Sequence, residues 1–270
     1  MRLRAPLTLT AAGLLALTAC GGSSSEDTAS TSSAASSSAD GGELTGTLTV
    51  FAAASLTDVF TDLGDQLMAE NPDLTVEFNF AGSSALATQI GQGAPADVFA
   101  SANQTQMTVV TDAGLAEGDP TVFTENVLEI AVPEGNPADV TGIDDFGDPD
   151  LTLAICAPDV PCGAAAEQVF EAAGVTAQPD TLEEDVRAAL TKVELGEVDA
   201  ALVYASDVQS AGDAVEGITF PEAEDAVNEY PIAALAAAPN PDAAQAFIDL
   251  VESDAGQQAL TDAGFRSPSA

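Results

Sequence analysis

The residues of this chain that could do chemistry are few and mostly neutral. Hydroxyls stand at Ser55, Ser83 and Ser84, the two phenols are Tyr204 and Tyr230, and the three thiols are Cys20, Cys156 and Cys162. Histidine is absent, which removes the commonest general base, the Ser/His and Cys/His dyads and the usual zinc ligands together. Neither Lys192 nor any carboxylate is tied by sequence to Ser55 or Ser83, so an activated serine nucleophile has no support. A catalytic thiol fares no better without histidine. Four segments instead read as junctions where a strand runs into a helix: Ala52 to Leu56, Ala81 to Leu86, Pro161 to Gly163, and Glu184 to Arg187. A helix start leaves its first N–H groups without intrahelical partners. Serine is a preferred N-cap on any helix, so each junction alone says little. Together the four form a set of neutral hydrogen-bond donors with no acid or base assigned to them.

The elements that must position these donors follow from hydrophobic spacing. Thr47 to Ala52 reads as a strand, and Ser55 opens a helix whose apolar residues Leu56, Val59, Phe60, Leu63 and Leu67 form one buried face. Leu74, Val76, Phe78 and Phe80 alternate as a strand. The turn Gly82 to Ser84 leads to a short helix carrying Leu86 and Ile90, followed by a strand at Asp97 to Ala100. Further strands are predicted at Val127 to Val132, Leu151 to Cys156, Ala200 to Tyr204 and Tyr230 to Ala236. Helices are predicted at Gly163 to Ala173, Asp185 to Leu195 with Gly196 as C-cap, Pro241 to Glu252, and Asp254 to Ala263. This alternation predicts an α/β architecture with parallel sheets covered by helices on both faces. Ligands of such sheets sit beyond the C-terminal ends of the strands, where the four junctions lie.

The chain has 270 residues, of which 46% are hydrophobic and 18% charged, enough for a sizeable core. Its 44 acidic residues face five basic ones, a formal net charge of -39, which excludes nucleic acid as a partner. Arg2 and Arg4 precede an apolar stretch from Leu7 to Leu17, too short to span a bilayer. The ending Leu17, Thr18, Ala19, Cys20 resembles a bacterial lipobox, so residues 1–20 read as a lipoprotein signal peptide with Cys20 as the lipidated N-terminus. Residues 21–43 are rich in Ser, Gly and Ala and read as a flexible tether. Cys156 and Cys162 then remain as an even pair in an oxidising compartment, either bridged or as two buried thiols. The acidic run Asp144 to Asp150 lacks calcium-loop spacing and reads as a solvated loop.

Five ordered motifs carry a family resemblance: Val50 to Thr57, Phe80 to Ser84, Gly93 to Ala102, Glu184 to Leu190, and Val203 to Asp207, with Ala263 to Phe265 closing the series. From Leu44 to Phe265 the chain resembles the bacterial molybdate-binding proteins (the ModA family), the substrate-binding components of molybdate ABC importers. The resemblance implies a type II periplasmic-binding-protein fold, with two α/β lobes around a ligand cleft. It places lobe I at residues 44–126 and 232–270 and lobe II at 127–231. It also implies a ligand set. Ser55 and Ser83 would donate hydroxyl and backbone N–H, Cys162 and Val186 backbone N–H, and Tyr204 its hydroxyl. Ser84 competes with Ser83 for the inward position. No cofactor or directly coordinating metal ligand is implied, and the protein is expected to be a non-catalytic monomer anchored outside the cell membrane, serving a permease and its cytoplasmic ATPase.

Donor-only residues suit a fully ionised tetrahedral dianion, whose oxygens are acceptors only. A protonated phosphate would need an acceptor for its own hydrogen, and sulfate is smaller, whereas molybdate and tungstate are nearly the same size. Alternatives remain: a receptor for sulfate or another small solute, an amino-acid receptor using Arg187, a ferric-ion receptor using Tyr204 and Tyr230, or a surface lipoprotein with no ligand.

Overall fold

The computed structural model describes residues 43–269. The segment expected to be a signal peptide, Cys20 and the expected tether up to residue 42 therefore lie outside the described residues. No helix within them is long and apolar enough to cross a membrane.

The first sheet is built from β1 (Gly46–Ala53), β2 (Leu74–Ala81), β3 (Val98–Ala100), β4 (Thr121–Asn126) and β10 (Asn228–Ala234), in the order β2-β1-β3-β10-β4. The second holds β5 (Leu128–Pro133), β6 (Leu153–Cys156), β7 (Thr181–Glu183), β8 (Ala200–Tyr204) and β9 (Val215–Ile218), in the order β7-β6-β8-β5-β9. Only Val127 separates β4 from β5, so the chain passes from one sheet to the other in a single residue. The helices are α1 (Thr57–Glu70), α2 (Ser83–Gly91), α3 (Gln104–Asp112), α4 (Pro161–Ala173), α5 (Val186–Glu194), α6 (Ala205–Ala211), α7 (Pro241–Glu252) and α8 (Asp254–Asp262).

The expectation of parallel sheets needs correction, because both sheets are mixed. β1 pairs parallel with β2 and β3, and β6 with β7 and β8. The strands that carry the chain between sheets break the rule: β5 runs antiparallel to β8 and β9, and β10 antiparallel to β3 and β4. A strand entering directly from another sheet, with no helical crossover before it, is free of the constraint that makes βαβ neighbours parallel.

The strand pleat sorts the first lobe's core onto two faces. Val50, Ala52, Val98 and Ala100 pack with Phe60, Phe123, Tyr230 and Phe247 beneath α1, α7 and α8. Phe51 and Phe99 point the other way, towards Leu86 and Met107 of α2 and α3. Burial on both faces is what turns these strands into unbroken apolar runs. The second sheet has its own core, centred on Ile130, Leu153, Val169, Leu190 and Leu202.

Several boundaries move for local reasons. Ser55 sits in a 3-10 turn, Ala54–Leu56, and the α-helix proper begins at Thr57. α4 starts two residues earlier than Gly163, with Pro161 in the first turn, where its missing N–H costs nothing. Gly196 follows α5 at φ +64°, a left-handed conformation that suits glycine. β10 begins at Asn228 and ends at Ala234 rather than spanning Tyr230 to Ala236.

Candidate functional site

Ser55, Ser83, Cys162, Val186 and Tyr204 come from five separate segments and line one small cleft between the two sheets. All five are buried. Ser55 lies in the 3-10 turn before α1, Ser83 is the first residue of α2, Cys162 the second of α4, and Val186 the first of α5. Each thus belongs to a helix start whose N–H groups have no intrahelical acceptor, and four such starts add a partial positive field at the cavity. Tyr204 ends β8 and precedes α6.

The side chains are arranged to donate. Ser83 Oγ accepts the N–H of Ala102 at 3.0 Å, which leaves its own proton available. Ser84 instead lines a separate groove with Thr88, Asp159 and Glu184. Ser55 Oγ lies 2.9 Å from Tyr230 Oη; with the phenol donating, the serine proton is likewise free for an acceptor in the cavity. Tyr204 Oη is buried and makes no hydrogen bond of good geometry, although the Tyr230 phenol is near enough to interact with it. A buried hydroxyl without a well-formed hydrogen bond is costly, so its presence in this wall points to an acceptor supplied from outside. Burial, the neighbouring Tyr230 and the Asp207 carboxylate all push the Tyr204 phenol well above its ordinary range, so it stays a protonated donor.

No basic side chain lines the cavity, and its one carboxylate, Asp185, turns back to cap α5 by accepting the N–H of Ala188 at 2.9 Å. Among the described residues no group of three or more His, Cys, Asp or Glu is placed to hold a metal ion. Arg187 is not part of the lining; its guanidinium meets Asp58 at 2.6 Å and Asp207 at 3.0 Å.

Cys156 and Cys162 form a disulfide with Cα atoms 5.7 Å apart. The bridge ties the end of β6 to the first turn of α4, closing the short loop that presents the Cys162 N–H. Gly163 completes this loop, since a Cβ there would collide with the carbonyl of Ala157. Gly82 has a comparable place across the cleft, where a Cβ would collide with the carbonyl of Glu184.

Sequence reasoning missed the supports behind these donors. Tyr230 enters the sequence reading as a strand residue and as a phenol paired with Tyr204 in a ferric alternative, not as a partner of Ser55, from which it stands 175 positions away. Asp207 lies in the fifth motif, yet nothing local indicates that its carboxylate would accept the Tyr204 N–H at 3.0 Å while fully buried. Burial is the main cause that raises its pKa to about 7, opposed by Arg187 and by that backbone hydrogen bond.

Residues 48–266 match the family model of bacterial extracellular solute-binding proteins. The molybdate-binding protein ModA of Mycobacterium tuberculosis H37Rv is 44% identical over 222 residues, which cover 82% of this chain and 85% of that protein. The Azotobacter vinelandii periplasmic molybdate-binding protein superposes with a TM-score of 0.71 at 19% identity, over 82% of this chain and 100% of its own. The sulfate-binding protein SubI of M. tuberculosis H37Rv gives a TM-score of 0.68 at 19% identity, over 82% of this chain and 86% of its own. These two likenesses establish a common fold, two lobes with a cleft between them. The chain belongs to the bacterial extracellular solute-binding protein family and, within it, to the group of the ModA molybdate-binding proteins.

Proposed function

We propose that this protein is the extracytoplasmic receptor of a molybdate importer, binding molybdate or tungstate as the fully ionised dianion and delivering it to an ABC permease and its ATPase. The observation that carries the reading is the convergence of Ser55, Ser83, Cys162, Val186 and Tyr204 on one cavity in which the Tyr204 hydroxyl makes no well-formed hydrogen bond to the protein. The fold alone is shared with a sulfate-binding protein, so the choice of anion rests on the 44% identity to a molybdate-binding protein and on the donor chemistry. Peptide N–H groups and hydroxyls satisfy acceptor-only oxygens, and a protonated phosphate would bring a hydrogen with no acceptor to meet it.

Binding would bridge lobe I, residues 44–126 and 232–270, and lobe II, residues 127–231, because Ser55 and Ser83 come from the first and the other three donors from the second. The two separate sheets support a division at Val127, whereas β10 (Asn228–Ala234) lies whole in the first sheet and moves the return to lobe I ahead of Asn228. Catalysis has no agent here: Ser83 Oγ is held by the Ala102 N–H and Ser55 Oγ by Tyr230, with no base beside either. An amino-acid receptor would need a free guanidinium, and Arg187 is already held by two carboxylates. A ferric receptor would need a cluster of anionic ligands, and among the described residues no group of three or more His, Cys, Asp or Glu is placed to hold a metal ion, while burial opposes ionisation of both Tyr204 and Tyr230. We further infer that Cys20 carries a lipid anchor, that residues 21–43 hold the folded part off the membrane, and that the receptor works as a monomer.

A thermal-shift panel tests the reading. Ligand at a hundred times its Kd adds about 2.7 kcal/mol to the folded state, which for a chain of this size raises Tm by about 5 to 10 °C. Molybdate and tungstate should do so, sulfate less, phosphate and ferric ion not at all. A larger shift with sulfate than with molybdate would reassign the ligand.

A further inference from the structure

Only three basic residues follow Cys20, namely Arg187, Lys192 and Arg266, so where the chain places a cation is informative. Arg187 is the second residue of α5, next to the Val186 donor. Its Nη2 reaches Asp58 Oδ2 at 2.6 Å, in the first turn of α1 and three positions beyond Ser55. Its Nε lies 3.0 Å from Asp207 Oδ1, while Asp207 Oδ2 accepts the backbone N–H of Tyr204 at 3.0 Å. One guanidinium therefore connects the segments that carry Ser55, Val186 and Tyr204, across the gap between the two sheets. Asp207 is fully buried and Asp58 is 58% exposed, so the arginine is anchored in the second lobe and reaches out to the first.

We propose that Arg187 is a positioning residue for anion binding: a latch anchored on Asp207 that engages Asp58 when the lobes close and holds three donor segments in register. The proposal rests on the functional reading above. The latch touches no ligand. It acts by favouring the closed arrangement, so its loss should appear mainly in the rate at which the anion leaves.

The test is molybdate binding by the purified full chain and its Asp58→Asn, Arg187→Gln and doubly substituted forms. On charge alone, removing a carboxylate from so acidic a protein would tighten anion binding. The latch predicts the opposite sign. Asp58→Asn should raise Kd by about three- to fivefold, as expected for a half-exposed ion pair, and speed dissociation, while leaving the ligand-free Tm at the parent value. Arg187→Gln should raise Kd by about tenfold or more, and adding Asp58→Asn to it should change nothing further. A pair that is merely structural would show the reverse pattern, with a lowered ligand-free Tm and an unchanged Kd for Asp58→Asn, and that result overturns the latch. Should Arg187→Gln fail to fold, Asp58→Asn decides alone. A parent that binds no molybdate overturns the functional reading itself, whereas a parent that binds while Asp58→Asn matches it in Kd and dissociation rate overturns only the latch.

Discussion

Tyr204 is the residue on which the site is most exposed to test, because its hydroxyl makes no well-formed hydrogen bond to the protein while lying in the cavity wall. Changing Tyr204 to Phe removes one donor and no well-formed protein hydrogen bond from that hydroxyl, so the folded state should lose little and molybdate binding about 1.5 to 3 kcal/mol, the range for a hydrogen bond to a charged group. Ser83→Ala should weaken binding by a similar amount but also orphan the Ala102 N–H, and so lower the ligand-free Tm as well. Val186→Ala should do little to affinity, since only the peptide N–H is used; calorimetry and thermal melts on the three variants separate these patterns. Asp207 makes a different prediction. Its carboxyl titrates near pH 4 in an unfolded chain and at about 7 in the folded one, raised chiefly by burial. The folded state thus holds its proton more tightly, so the stabilising contribution is fully present below about pH 4 and is lost as pH rises through 7. With no histidine in the chain, a fall in Tm between pH 6 and 8 should come mainly from this group and should flatten in Asp207→Asn. A parent Tm that rises over that interval would contradict the assignment.

The elements show why the helix starts that line the cavity were legible and their supports were not. The helix starts are written in short local patterns, such as Gly82 before Ser83 and Pro161 before Cys162, and such patterns survive without knowledge of the fold. The apolar face of α1 and the alternation in β2 are equally local. By contrast α3 has only Met107 and Val110 buried in a run of Gln and Thr, α6 is seven residues of mostly small or polar type, and β7 and β9 are three and four residues long. None of these carries enough periodicity to declare itself. Strand direction was hidden for another reason: whether β5 and β10 run parallel depends on where the chain came from, which composition does not record. The glycines beside the cleft belong to this scale too. Gly82→Ala would force a methyl group against the Glu184 carbonyl, so the lobes should no longer meet as they do here, and molybdate affinity should fall at least tenfold with a smaller change in ligand-free Tm. An affinity equal to the parent's would mean that this approach is not needed for binding.

At the scale of the whole molecule the apparent contradiction is a polyanion that takes up an anion. Removal of residues 1–19 would leave 44 acidic groups against three basic ones, a net charge of -41. The cavity itself presents dipoles and N–H groups at contact distance, whereas the surface charge acts over a range that salt sets, about 30 Å at 0.01 M and about 8 Å at 0.15 M ionic strength. Molybdate affinity should therefore rise with added salt over that interval. A pocket built on lysine or arginine would lose affinity instead. The lobes also meet outside the site, through Arg187 with Asp58 and through Gln106, whose side-chain amide donates to the Asp159 carbonyl at 3.3 Å. This is a shut cleft, so small-angle scattering should show the ligand-free protein expanded and molybdate compacting it. The most direct measurement is a calorimetric titration of molybdate into the purified protein, repeated in a large excess of sulfate. A cavity of neutral donors fitted to the larger dianion predicts saturable one-to-one heat in both titrations, with only a modest loss of apparent affinity in sulfate. No saturable heat, or its abolition by sulfate, would contradict the assignment of this site to molybdate.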